Sequence, residues 1–352
     1  MKTEIKNMND FAESVREEMQ ERLSDQFPGI TVDVEQVEKI QGESYLGIRV
    51  DRGNGLASPV FNLQPAYEEA GFTGSLDRIL DTLEEKIGMI LRDMPQIGPE
   101  KLKDYETAKE NMIMQVIPIK GNEERLAEMP HKEMEDMAVV CRVTIDGDYH
   151  GGQMSYLVTD PVLQEFGVTK EELFADAAEN MSQNMQYTIR PLFSVLMEMN
   201  PVFADDPMPE PDNTLFVCTN EMGMFGAGAI AHPEFMEEAG KKLRGNFFVL
   251  PSSIHEVLLL KDDGMTDYHT LEAMVTEINA TQVAPSDRLT DNVYHVDMQE
   301  RIFETAKHFE ERQAEKEVGR GSVLKDLAEN RQRMQEHKPK AHDAPVRGGV
   351  AI

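Results

Sequence analysis

The densest cluster of groups able to do chemistry is the run Leu250-Pro251-Ser252-Ser253-Ile254-His255-Glu256, where two hydroxyls precede an imidazole and a carboxylate. A serine becomes a nucleophile when an imidazole within hydrogen-bond reach takes its proton, and a carboxylate can orient that imidazole. Ser252, Ser253, His255 and Glu256 are therefore the candidate catalytic set of a serine hydrolase. The spacing works against this reading. On a strand, Ser253 and His255 share one face but stand too far apart along it to share a proton, and no G-x-S-x-G elbow is present. The competing expectation is a Pro-Ser-Ser turn joining two buried strands, with His255 at the edge.

Other motifs fail on context. Gly226-Ala227-Gly228-Ala229-Ile230-Ala231 matches the dinucleotide pattern G-x-G-x-x-A, but His232-Pro233 interrupts the place where a phosphate-capping helix must already run. A glycine-rich strand or turn is expected there. The triplets His131-Lys132-Glu133 and His232-Pro233-Glu234 resemble zinc-deaminase triplets but lack the P-C-x-x-C that completes such a site, so both read as helix starts after or at a proline. Asp146, Asp148, His150 and Gly151 open like a calcium loop, yet the twelfth position is Leu157, which makes the segment a hairpin turn. H-E-x-x-H, Walker A and kinase signatures are absent. No metal and no cofactor is expected.

The chain has 352 residues, enough for about two domains, with 40% hydrophobic residues and a formal net charge of −30. Such a charge repels nucleic-acid phosphates, so the acidic body is not expected to bind nucleic acid directly. It could instead present phosphate-like spacing as an acidic decoy of a nucleic-acid enzyme. Residues 316–352 carry eight basic and five acidic side chains, leaving a tail of +3. Cys141 and Cys218 lie in apolar stretches without CxxC spacing, which fits a reducing cytoplasm. The amino-terminal residues carry no apolar leader core, and the most apolar run, Met222 to Ala231, is too short and glycine-rich for a bilayer. A membrane association is not expected.

The elements that position these residues follow from periodicity. Met8, Phe11, Val15, Met19 and Leu23 predict an opening helix, and alternation over Ile30–Ile40, Tyr45–Val50 and Ser58–Leu63 predicts an antiparallel meander. Ser75 caps a helix with the stripe Leu76, Ile79, Leu80, Leu83, Ile87, Ile90, Leu91 and Met94, and a helical patch covers Pro99–Glu110. Strands are expected at Met112–Ile119, Met137–Ile145 and Met154–Val158, then a long helix from Thr169 to Leu196, kinked or split at Pro191. The proline–acid alternation of Asp205 to Asp212 reads as an extended connector. After it come strands Leu215–Thr219, Phe247–Leu250, Ile254–Leu260 and Asn292–Val296, with helices at Pro233–Leu243, Tyr268–Gln282 and from Gln299. The fold class is α+β, with mainly antiparallel mixed sheets and flanking helices. Two subdomains are expected, an N-terminal portion over 1–200 and a C-terminal portion over 213–315, followed by a disordered basic tail over 316–352.

Four segments carry a resemblance: Met129 to Val140, Phe248 to Val257 with its Pro-Ser-Ser-Ile-His-Glu core, Met274 to Asn279, and Leu289 to Tyr294. They resemble the Domain of Unknown Function 5688 family, found in gut Firmicutes and often near mobile elements, over roughly residues 8–300. The order of elements is also similar to the Domain of Unknown Function 1444 family, where a turn like Thr219-Asn220-Glu221 precedes the later helix. The resemblance implies an intracellular bacterial α+β protein and brings no catalytic residue, ligand or cofactor. The resulting expectation is a cytoplasmic, non-enzymatic interaction or accessory protein of a mobile element with a protein partner. The alternatives are the acidic DNA-mimic decoy and the serine hydrolase.

Overall fold

The computed structural model describes residues 7–38, 44–53, 58–73, 75–93, 103–149, 152–183, 187–199, 215–220, 223–251 and 253–318. Helix α1 (Met8–Gln26) buries Phe11, Val15, Met19 and Leu23 along one stripe, and Asn7 caps it by accepting the Asp10 N–H at 3.0 Å. Strands β1 (Thr31–Glu38), β2 (Ser44–Asp51) and β3 (Val60–Asn62) form the expected antiparallel meander. Helix α2 (Gln64–Thr73) follows, which periodicity does not anticipate; Asn62 starts it by accepting the Gln64 N–H at 2.9 Å. Helix α3 (Leu76–Asp93) turns Ile79, Leu80, Ile87 and Leu91 inward. The buried cluster of these elements runs from Phe11 to Leu91 and takes no described residue from beyond.

The second sheet is built from β4 (Met112–Pro118), β5 (His131–Met134), β6 (Met137–Tyr149) and β7 (Gly152–Leu157), in the order β4-β6-β5 with β7 also on β6. Short helices α4 (Tyr105–Lys109) and α5 (Glu123–Leu126) flank β4. Alternation along β6 sends Val139, Cys141 and Val143 toward helix α7 (Lys170–Gln183), which follows α6 (Asp160–Phe166), while Ala138 and Val140 meet Leu126 and Met129 on the other face. Two expectations are corrected here. His131-Lys132-Glu133 is not a helix start but strand β5, because Val140, Val139 and Ala138 of β6 lie opposite it as ladder partners. Asp146 and Asp148 belong to β6, which runs on through a register shift to Tyr149, instead of forming a turn.

The third sheet has the order β13-β12-β10-β11-β9-β8 and is antiparallel throughout. Its first strand, β8 (Tyr187–Pro191), replaces the middle of the expected long helix, and α8 (Leu192–Met199) follows it. Tyr187, Thr188 and Ile189 favour extended backbone, and Pro191 is tolerated because β8 is the edge strand among the described residues, with no neighbour among them on its outer side. Strand β9 (Leu215–Asn220), a 3-10 turn at Gly226–Ala231, helix α9 (Phe235–Leu243), β10 (Phe247–Leu250) and β11 (Val257–Lys261) come next. Helix α10 (Tyr268–Thr281), a 3-10 turn at Pro285–Asp287, β12 (Tyr294–Asp297), β13 (Ile302–Thr305) and α11 (306–318) complete the described chain. The helix expected from Gln299 is a hairpin turn instead, since Asp297 Oδ1 accepts the Gln299 and Glu300 N–H groups at 3.0 and 3.1 Å and Arg301 adopts φ +57°.

Phe247, Val249, Val257 and Leu259 face Phe235, Ala239 and Leu243 of α9, while Phe248 and Leu250 face Leu271 and Val275 of α10. Val116 and Met137 of the second sheet join the α9 side, so the two sheets share one core. The protein is α+β with three antiparallel sheets among the described residues. The expected connector, Asp205 to Asp212, lies outside them, but β8 before it and β9 after it are neighbours in one ladder. The expected division at 200–213 thus falls inside a sheet. Of the tail, 316–318 belong to α11 and the rest lies outside the described residues.

Candidate binding cleft

Pro251–Glu256 joins β10 to β11, the turn expected from the Pro-Ser-Ser sequence. Ser253 Oγ accepts the backbone N–H of His255 at 3.0 Å, and Ser253 bridges to Arg288 on the adjacent loop. The His255 Nδ1 accepts the Phe225 N–H at 3.3 Å, so the neutral ring carries its proton on Nε2, which lies 3.8 Å from Asp287 Oδ2. Thr219 Oγ1 donates to the His255 carbonyl at 2.9 Å. Glu256 is exposed, and Ser252 lies outside the described residues. The hydroxyl and imidazole are thus each engaged by backbone N–H groups, and the turn acts as a joint between β9, β11 and the loop that holds Asp287.

A second serine–histidine pair is formed by Ser182 and His232, with Oγ and Nε2 2.7 Å apart. Here too the tautomer decides the chemistry. His232 Nδ1 accepts the Glu234 N–H at 3.2 Å, which leaves Nε2 as the N–H donor toward Ser182 and toward the Ala178 carbonyl at 3.2 Å. A ring that donates there cannot take a proton from the serine. Cys141 and Cys218 are buried, and burial pushes both thiols up to about 12, so neither is a ready nucleophile.

The structure gathers its polar groups elsewhere, at the tight turn between β5 and β6. Glu135 takes φ +56° there, which aims Asp136 across to the third sheet. The Asp136 carboxylate accepts the Thr290 hydroxyl at 2.8 Å, the Asn292 amide at 2.9 Å, and the Tyr294 hydroxyl. Burial, and then the negative charge of Asp136, push the Tyr294 phenol far up, so it remains a donor. This carboxylate is a clamp between the hairpin and the 290–294 segment. Beside it, Asn279 of α10 donates Nδ2 to the Thr290 carbonyl at 3.0 Å and to Asp291 Oδ1 at 2.7 Å. Asn279 is only 2% exposed, and its Oδ1 is buried with no partner.

These groups border a cleft of about 360 Å³, to which Lys120 and Arg288 add positive charge. Arg288 is braced by its Nε donating to the Val283 carbonyl at 3.1 Å. Asp136, Asn279 and Thr290 come from three of the four segments that carry the family resemblance, brought together from positions more than 130 residues apart in sequence for Asp136. The model of a family of unknown function, DUF5688, matches residues 8–298.

The chain belongs to the DUF5688 family.

No curated protein and no solved structure matches it. In this DUF5688 chain, no helix among the described residues is long and apolar enough to cross a membrane, and no group of three His, Cys, Asp or Glu side chains among them could hold a metal ion. Sequence reasoning about Ser253 and His255 located the neighbouring joint but missed Asp136, Asn279, Lys120 and Arg288. Asp136 and Asn279 had a signal only as members of the segments of family resemblance, while Lys120 and Arg288 lie outside those segments and carried none.

Proposed function

We propose that this chain is a non-enzymatic binding protein, and that the Asp136–Asn279 cleft receives a small zwitterionic ligand of the α-amino-acid type. The carrying observation is the buried, unpartnered Asn279 Oδ1. An orphaned buried acceptor costs about 1–3 kcal/mol, which a ligand N–H would recover. Lys120 and Arg288 on the same cleft call for a carboxylate, while Asn279 Oδ1 and the Asp291 carboxylate call for an ammonium. A simple anion leaves the acceptor unsatisfied. The volume sits at the small end of ligand pockets.

The cytoplasmic setting, a protein partner and a role beside mobile elements belong to this proposal as the context in which binding would be read out. Two reduced, buried thiols support a reducing compartment. Calorimetric titration of the full chain with single L-amino acids tests the reading, with propionate and ethylamine as controls for alanine. At least one amino acid should bind saturably, loss of either charged group should abolish it, and Lys120→Ala, at an exposed site, should weaken it about tenfold. No saturable binding across the panel, or unchanged binding to Lys120→Ala, overturns the reading. So does a turnover activity lost on His255→Ala.

A further inference from the structure

Arg142 stands in β6, in a protein whose acids far outnumber its bases, and yet no carboxylate among the described residues pairs with it. Its Nε donates to Gln115 Oε1 at 2.9 Å and one terminal nitrogen donates to Ser155 Oγ at 2.9 Å. Both partners are neutral. The Phe225 ring lies under the guanidinium, 4.7 Å from centroid to Cζ, and Phe225 itself is held at φ +58° in front of the glycine-rich turn. Burial, followed by the like charge of Arg125, lowers the guanidinium to about 10, a large fall for a group that ordinarily stays charged. Gln115 is 1% exposed, and its Nε2 is buried with no partner.

The placement follows from strand periodicity. Arg142 shares a face of β6 with Val140, Gln115 lies opposite Val140 on β4, and Ser155 lies opposite Thr144 on β7, so all three side chains emerge on one side. What remains unused there is donor capacity alone: the free N–H groups of the guanidinium and the Gln115 amide N–H₂. Arg142 is half-buried, so its charge is partly stripped of water while no carboxylate among the described residues balances it. The fold tolerates that imbalance where an anion arrives from outside.

We propose that Arg142 and Gln115, braced by Ser155 and Phe225, form a subsite for the oxyanion of a carboxylate or phosphate group. The planar guanidinium offers two parallel N–H donors to such a group, the neighbouring amide offers a third, and Arg125 adds long-range attraction. The site is separate from the Asp136–Asn279 cleft and does not rest on it.

Thermal unfolding and calorimetry of the full chain with inorganic phosphate, sulfate and acetate test the subsite. Wild type should gain several degrees in Tm with at least one of these anions, saturably, since an anion bound only to the folded state stabilises it by mass action. Arg142→Met should lose that gain while folding as well as wild type without anion, because an apolar side chain of similar length replaces a half-buried charge that has no counter-ion among the described residues. Gln115→Leu should keep the fold and lower anion affinity roughly tenfold. Phosphate against acetate distinguishes the two sources of the oxyanion. Stabilisation that persists undiminished in Arg142→Met is a bulk salt effect and overturns the proposal. So does an absence of anion-dependent stabilisation in wild type, or Arg142→Met destabilising the anion-free protein, which makes the arginine a structural strut.

Discussion

A β-carbon placed on Gly228 would stand 2.0 Å from the Met114 carbonyl oxygen, and one on Gly226 would stand 2.5 Å from the His255 carbonyl oxygen. The G-x-G spacing therefore serves the approach of one backbone to another, where the 3-10 turn presses on β4 and on the 251–256 joint. Because the obstructing atoms are backbone, they cannot swing away. Gly228→Ala should cost about 3 kcal/mol or more in urea denaturation, through forced displacement of packed strands. Gly71→Ala, in helix α2 with nothing within 4 Å of the added carbon, should stabilise by about 0.5–1 kcal/mol. Legibility at this scale was partial. The glycines were visible and the turn expected of them is a 3-10 turn, while the lone cation in Val139-Val140-Cys141-Arg142-Val143 is an anomaly that the sequence analysis passes over. Asn279 offered no such signal, because its orphaned oxygen is a property of the folded packing around α10.

Among the elements, strong periodicity was readable and short strands near helices were not. The stripes of α1 and α3 announce themselves because each has one dominant partner face, and β6 and β10 because burial on both faces makes them short continuous apolar runs. Tyr187–Pro191 was misread since its apolar residues continue the spacing of α7 by coincidence, and only pairing with β9 reveals a strand. The β12–β13 hairpin was missed because its turn rests on Asp297 and on Arg301 with positive φ, not on glycine. That region holds a pH-sensitive carboxylate. His295 of β12 is fully buried, and its Nε2 lies 3.0 Å from Asp262 Oδ2 just beyond β11. The His295 hydrogen bond holds the Asp262 carboxyl below its ordinary value of 3.8. A lowered folded-state pKa contributes stability that is present above the unfolded value and lost as pH falls through the folded one. Wild-type stability should therefore drop as pH descends below about 4, and Asp262→Asn should be weaker at neutral pH with a shallower acid slope, read from chemical denaturation across pH.

At the scale of the whole molecule, the apolar clusters divide the chain after Leu91. The cluster from Phe11 to Leu91 takes no member from elsewhere among the described residues, whereas the second and third sheets share residues such as Val116 and Met137 in one core. Calorimetry should resolve two unfolding transitions. Phe11→Ala, which empties the first cluster at a fully buried position, should lower one of them by about 3–5 kcal/mol of stability and leave the other in place. Sequence alone placed the division later, at the proline–acid connector, because composition changes there. The β8–β9 ladder gives that connector another meaning. Tyr187 to Pro191 pair with Asn220 back to Phe216, residue by residue, so the two halves of the chain on either side of 200–214 are stitched together by main-chain hydrogen bonds and not only by the peptide link between them. A protease that severs this span would make two polypeptides but not two particles: the fragments would stay paired as a noncovalent complex, and separately made halves would have a template on which to find each other.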